Sequence, residues 1–276
     1  MSNETKYFES MYNVRAMVPD HQSYFRNYKH LSEKFKEARF HRATLDVSYG
    51  EHKLETMDIF QPKGPSGSLL MFIHGGYWRS LDKGDFSFVA EPFVKSGATV
   101  AIINYSLCPK VSVSDICREI VGAGSFLYRN SEAIGFPKSK MYVAGHSAGG
   151  HLATMALACQ WRQVDYRFPP KLFGGGVSIS GLYDLRPLVH VPSVNQDLRL
   201  SKDSAKKVSP ALMTPPQNVS LIVAVGDRET GGFHDQHQRI VGNWGTVVSK
   251  SLICNDKNHF DIIFNLADHD HLLGKN

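Results

Sequence analysis

The chain has 276 residues, 42% of them hydrophobic and 21% charged, a balance that fits a globular protein with a sizeable core and excludes a disordered or fibrous one. The net charge of +5 is mild, and the densest basic stretch, SKDSAKKVSP, is broken by Asp203 and reads as a solvated face, not a nucleic-acid site. No apolar run approaches the roughly 18 residues of a membrane span.

Residues 1–42 are rich in Tyr, Phe, Lys and Arg and predict a helical arm; the opening MSNETKYFESMYNVR is too polar for a secretory signal. ATLDVSYG and KLETMDIFQP then alternate apolar and polar residues, the period of half-buried strands. SLLMFIH, ATVAIINY, KMYVAGH, FGGGVSIS and VSLIVAVG are short continuous apolar runs, which fit parallel strands covered on both faces. Helical spacing appears between them in SVSDICREIVGAGSFLYRN, with Ser114 as its expected cap, and in SAGGHLATMALACQW and HDQHQRIVGNW. TVVSKSLICN reads as the last strand, and NHFDIIFNLADHDHLL as a closing helix. Two strands followed by alternating strand and helix predict an α/β fold: a mostly parallel central sheet with helices on both faces, in one domain spanning 1–276. Residues 181–218 break the rhythm with Pro, Ser and Leu, and are expected to form a small cap or lid over the carboxyl edge of the sheet, where open α/β sheets bind ligands. The four cysteines show no paired spacing and read as reduced thiols, which points to a cytoplasmic setting.

The strongest chemical signal is Gly145-His146-Ser147-Ala148-Gly149. Taken alone, a G-x-S-x-G can be a small-residue turn that packs a helix on a sheet. Here a strand precedes it and a helix follows, the context of a nucleophile elbow that holds a serine exposed above the sheet. A serine needs a base, and in this fold the order is serine, acid, histidine. Of the histidines after Ser147, His151 lies one turn into the elbow helix, and His234 and His237 sit on another helix. His259 alone follows the last strand in a short polar loop, which makes it the expected base. Two carboxylates compete for the acid in VSLIVAVGDRETGGF: Asp227, directly on the turn, and Glu229, three past Gly226, where the loop can curl toward the histidine. Glu229 is favoured; Asp184 is a third candidate whose expected role is to brace the lid.

Acyl transfer also needs donors aimed at the developing oxyanion. One is expected from the N–H of Ala148, and the other from the loop after the third strand, FIHGGYW, through Gly75 and Gly76, with His74 as a brace. The neighbouring aromatics Tyr77, Trp78, Tyr105 and Phe260 are candidates for a pocket wall, and each could equally be core.

Together these motifs resemble those of the kynurenine formamidases (arylformamidases) of the α/β-hydrolase superfamily. The similarity rests on HGGYW, GHSAGGHLA, VGDRETGGFHDQ and NHFDIIFNL, in that order, with YNVR near the start. The resemblance implies hydrolysis of N-formyl-L-kynurenine to L-kynurenine and formate, a step of tryptophan catabolism, with no metal or organic cofactor. It also implies a homodimer, and it moves Glu229 further ahead of Asp227. Animal members carry Asp at that position, so this chain departs from them by one methylene. A general short-acyl carboxylesterase of the same fold shares the same chemistry and is the alternative. A non-catalytic binding protein is the remote one, because the serine, acid and base are all present.

Overall fold

The computed structural model describes residues 2–267. Eight strands form one sheet: β1 (Ala43–Ser48), β2 (Thr56–Phe60), β3 (Ser68–Ile73), β4 (Ala98–Ile103), β5 (Met141–His146), β6 (Phe173–Ile179), β7 (Ser220–Gly226) and β8 (Val248–Cys254). Their order across the sheet is β1-β2-β4-β3-β5-β6-β7-β8. β1 and β2 pair antiparallel, β2 joins β4 antiparallel, and every later pairing is parallel. This is the α/β-hydrolase arrangement that the strand pattern predicts. The apolar runs fall where burial is greatest: β4 is buried along its whole length, and β3 at every residue after Ser68. Edge strands β1 and β8 hold only exposed and half-buried residues.

The sheet separates two cores. One side gathers Met71, Ile73, Val143, Leu152 and Leu182 with the helix Val113–Arg129 and with Tyr12 and Val14 of the arm; the other gathers Phe60, Phe72, Phe86, Val100 and Ile262 with Tyr28 and Phe35 of the arm. The Val113–Arg129 helix turns Ile116, Ile120, Ala123 and Leu127 inward at helical spacing. Its cap is Ser112, not Ser114: the Ser112 hydroxyl accepts from the Asp115 N–H at 3.2 Å, and the Asp115 carboxylate accepts from the Ser112 N–H at 2.9 Å. Ser114 lies inside the first turn, too late to reach those free donors. Lys83 is buried as well, donating to the buried Asp58 and to the exposed Asp46 at 2.7 Å each.

The arm runs as helices Asn3–Tyr12, Val14–Met17 and His21–Arg39. The 181–218 segment forms short helical pieces at Arg186–His190, Pro192–Leu198, Lys202–Lys207 and Pro210–Leu212 between β6 and β7. Arm and segment are tied together: the Glu9 carboxylate accepts from the Ser193 N–H and hydroxyl at 2.7 Å each. The expected closing helix is seen as turns followed by Phe264–Ala267, and the part expected beyond residue 267 lies outside the described residues.

Candidate active site

Ser147 stands between β5 and the helix Ala148–Ala158, with φ 57° and ψ −120°. A non-glycine residue there is strained, and such strain persists only where the surroundings over-determine it. The surroundings do so here. The Ser147 N–H donates to the Ile179 carbonyl at 2.8 Å. The helix lies so close to the sheet that a Cβ on Gly149 would sit 2.0 Å from the Ile73 carbonyl oxygen. Every residue from Ala148 to Thr154 is buried, so the helix cannot tilt away from the sheet.

The serine, the acid and the base, far apart in sequence, meet at the carboxyl ends of β5, β7 and β8. Ser147 Oγ is 2.9 Å from His259 Nε2. His259 Nδ1 is 2.6 Å from Glu229 Oε2. A carboxylate can only accept, so the imidazole proton sits on Nδ1, and Nε2 is left to accept from the serine hydroxyl. The Glu229 side chain is fully buried. Its other oxygen accepts from the Gly226 N–H at 2.8 Å and from the Ser180 hydroxyl. These bonds fold the longer glutamate back across its own turn and bring the carboxylate level with the imidazole. Asp227 points elsewhere: it is exposed and accepts from the Lys257 N–H. Asp184 is buried and held by Arg186 and Arg239 at the base of the inserted segment.

Two residues that hold His259 were not identified from the sequence. His146, inside the elbow motif, donates from Nε2 to the His259 carbonyl at 2.8 Å. Burial, and then the nearness of His259, push its pKa down to about 3, so it is a neutral, fixed donor. Phe233 places its ring 4.4 Å from the imidazole, centroid to centroid. His151, in the helix Ala148–Ala158, donates to the Val208 carbonyl at 2.7 Å and turns away from Ser147.

The HGGYW loop follows β3 and passes directly over the serine. A Cβ on Gly75 would lie 2.9 Å from the His146 carbonyl oxygen and 3.1 Å from Ser147 Cβ. Gly76 has φ +114°, and a Cβ there would sit 2.0 Å from the Ser80 carbonyl oxygen. Tyr77 and Trp78 continue at φ 51° and 55°, so the loop is strained beyond its glycines. Among the described residues, the N–H groups of Gly76, Tyr77 and Ala148 donate to no backbone carbonyl outside the regular elements. His74 braces the loop as expected, with Nδ1 2.7 Å from the Gly75 carbonyl and its ring stacked on Tyr105.

A cleft opens beside Ser147, lined by Gly75, Gly76, Tyr77, His146, His259 and Phe260, and closed by Val14, Arg15, Phe25 and Tyr28 of the arm. Two aromatics expected in its wall lie elsewhere. Trp78 is fully buried, edge-on to His151, and Tyr105 is fully buried with its hydroxyl on the His74 carbonyl. Both anchor the loop from beneath: the strained backbone turns Trp78 into the core, and Tyr105, which follows β4, is held there by its stacking on His74. The inserted segment contributes no lining residue either; the arm closes the cleft in its place.

A serine held against a correctly polarised imidazole, under a loop with free N–H groups, can attack an acyl carbon and hold the oxyanion that forms. Among the described residues no group of three or more His, Cys, Asp or Glu is placed to hold a metal ion, and no helix is long and apolar enough to cross a membrane.

Known proteins resemble this chain in sequence and in fold. The family model described as BD-FAE matches residues 57–228. A kynurenine formamidase of Danio rerio is 34% identical over 84% of this chain and 79% of its own length. Among solved structures, a Silicibacter sp. TM1040 protein provisionally called a thioesterase superimposes with a TM-score of 0.86 at 32% identity, covering 96% of this chain and 97% of that one. An esterase of Pyrobaculum calidifontis, at 15% identity and a TM-score of 0.71 over 92% of this chain and 89% of its own, shares the fold. With its strand order and motifs, and with such identity over most of its length, the chain belongs to the kynurenine formamidase family of α/β-hydrolases.

Proposed function

We propose that this protein is a serine hydrolase that removes the formyl group from N-formyl-L-kynurenine, giving L-kynurenine and formate. The observation that carries the reading is the unbroken contact series from Ser147 Oγ through His259 to Glu229, at 2.9 and 2.6 Å. Ser147 Oγ attacks the formyl carbon while His259 Nε2 takes the hydroxyl proton. Glu229 keeps Nδ1 protonated and stabilises the imidazolium. The N–H groups of Gly75, Gly76 and Ala148 receive the oxyanion, and the start of the Ala148–Ala158 helix favours negative charge there. His259 returns its proton to the departing aryl amine. Water, activated by the same imidazole, then releases formate from the formyl-serine. The arm and the inserted segment belong to the same single domain; the arm closes the site, and the segment holds the arm through the Glu9–Ser193 bonds. The four free cysteines support a reducing, cytoplasmic setting; a homodimer is carried by the family likeness alone.

The deciding assay follows loss of the formyl group from N-formylkynurenine by the full chain, with p-nitrophenyl acetate alongside. A kcat/KM strongly favouring the formamide is expected. The reverse ranking would instead make this a general short-acyl esterase, a reading that the Pyrobaculum calidifontis esterase fold keeps in play.

A further inference from the structure

The cleft wall contributed by the arm contains one charged side chain, Arg15, facing the same space as Ser147, Gly76 and Phe260. Arg15 is only partly exposed. Its Nη2 donates to Ser80 Oγ at 2.7 Å, and its guanidinium lies 5.7 Å from the centre of the Phe25 ring. Among the described residues it has no carboxylate within ion-pair distance. The nearby Arg79 differs in this respect, being paired with Asp197 at 2.6 Å. Burial, followed by the like charge of Arg79, lowers the pKa of Arg15. A guanidinium stays charged even so. Among the described residues the cleft thus holds a partly desolvated cation with no carboxylate beside it.

Its attachment fixes where that cation stands. Ser80 Oγ, which accepts from Arg15, donates to the Gly76 carbonyl at 2.9 Å. One hydroxyl thus separates the guanidinium from the loop proposed to hold the oxyanion. The remaining arm residues of the wall, Val14, Phe25 and Tyr28, present apolar and aromatic surface. The cleft offers an acyl-transfer end, an aromatic floor and an unpaired guanidinium.

We infer that Arg15 is the carboxylate-binding residue of this cleft, recognising the anionic amino-acid end of an aryl formamide while Ser147 engages its formyl group. This inference rests on the formamidase reading and adds the residue that selects among formamides. Arg15 has donor atoms left over after the bond to Ser80, and a guanidinium fork matches a carboxylate in two parallel hydrogen bonds. An incoming carboxylate would also offset the repulsion from Arg79.

The test compares two substrates with the same formamide: N-formylkynurenine, and N-formyl-2-aminoacetophenone, which lacks the amino-acid end. Arg15→Gln and Arg15→Lys are assayed beside the unaltered chain, with thermal melting recorded for each. In Arg15→Gln the kcat/KM preference for N-formylkynurenine is expected to fall about 10- to 100-fold, mainly through KM, the size expected for loss of a charge-assisted pair. Arg15→Lys should recover part of it. An unchanged preference in both variants, or an equal fall on both substrates, overturns the role of Arg15 and leaves the formamidase reading standing. If the unaltered chain hydrolyses neither formamide, the formamidase reading fails and this inference fails with it. A melting temperature kept within a few degrees shows that a lost preference is not lost folding.

Discussion

The two walls of the cleft are built by different means. On the elbow side, from Gly145 to Gly150 and across to Gly75, the wall is main chain. There is no room for a Cβ at Gly149, and Ser147 is held in a strained conformation. On the arm side the wall is made of long side chains, Arg15, Phe25 and Tyr28, and the arm is pinned by scattered polar contacts. Tyr77 donates from its hydroxyl to the Tyr12 carbonyl at 2.5 Å, Glu9 holds Ser193, and Tyr28 donates to the Phe260 carbonyl. A wall of packed backbone cannot move without breaking the sheet, so it suits atoms that must be placed to within a fraction of an ångström. A wall of side chains can change with one substitution and leave the chemistry intact. The proposed chemistry accordingly falls on the elbow side and the proposed substrate choice on the arm side.

That division can be broken from either side. The largest effect is expected on the elbow: Ser147→Ala should lower kcat by about 10⁴-fold or more while circular dichroism and melting stay near those of the unaltered protein. Turnover within about tenfold of normal would remove Ser147 from the chemistry. Glu229→Gln should cost about 10³- to 10⁴-fold, because the amide no longer fixes the imidazole tautomer. Asp227→Asn should leave kcat within about twofold, since surface changes away from packed features have small effects. A reversal of those two would transfer the acid role to Asp227. Gly75→Ala should lower kcat about 10²- to 10³-fold with a smaller change in KM, because the new methyl pushes the loop off Ser147 and displaces a donor. On the arm, Glu9→Ala removes both bonds to Ser193 and should destabilise by about 1–3 kcal/mol in urea unfolding. Its kinetic mark should be a rise in KM of a few fold with kcat nearly kept; a collapse of kcat would mean that the arm also positions the chemistry.

The elbow side should also respond to acid. Burial holds His146 near 3 and His151 near 4, below the ordinary histidine value. The unfolded chain therefore takes up protons on these residues between about pH 6.5 and 4 that the folded chain refuses. Stability should fall as pH drops through that window, by up to about 1.4 kcal/mol per pH unit for each histidine. His151→Asn should flatten the slope by close to one proton in urea titrations at several pH values. A slope that does not change would place the acid sensitivity elsewhere.

Much of the site was legible because its signals are local. G-x-S-x-G between a strand and a helix, a glycine pair after β3 and a histidine in the loop after β8 are each readable from a few neighbouring residues and their period. Glu229 was legible through its three-residue offset from Gly226, although the reason it reaches is tertiary: the Gly226 N–H and the Ser180 hydroxyl draw it back. His146 was visible in the motif, but its bond to the His259 carbonyl spans 113 positions. Trp78 and Tyr105 were candidates for the cleft because of their neighbours in sequence, yet positive φ along the loop and stacking on His74 send them into the core. The Tyr-Asn-Val-Arg stretch gave a likeness and no role, since nothing local says that residue 15 meets residues 76, 147 and 260.

The sequence by itself determined the eight strands, their parallel majority, the strand–turn–helix at Ser147 and the choice of Ser147, His259 and Glu229 as the side chains that the fold brings into contact, because hydrophobic period and turn chemistry act over a few residues. Only the tertiary structure decided which surface closes the cleft, which aromatics face it and where the Arg15 guanidinium stands. Those outcomes depend on how a helical arm packs across loops of the sheet that lie from 65 positions away (Arg15 to Ser80) to 232 positions away (Tyr28 to Phe260), and no local spacing encodes those contacts.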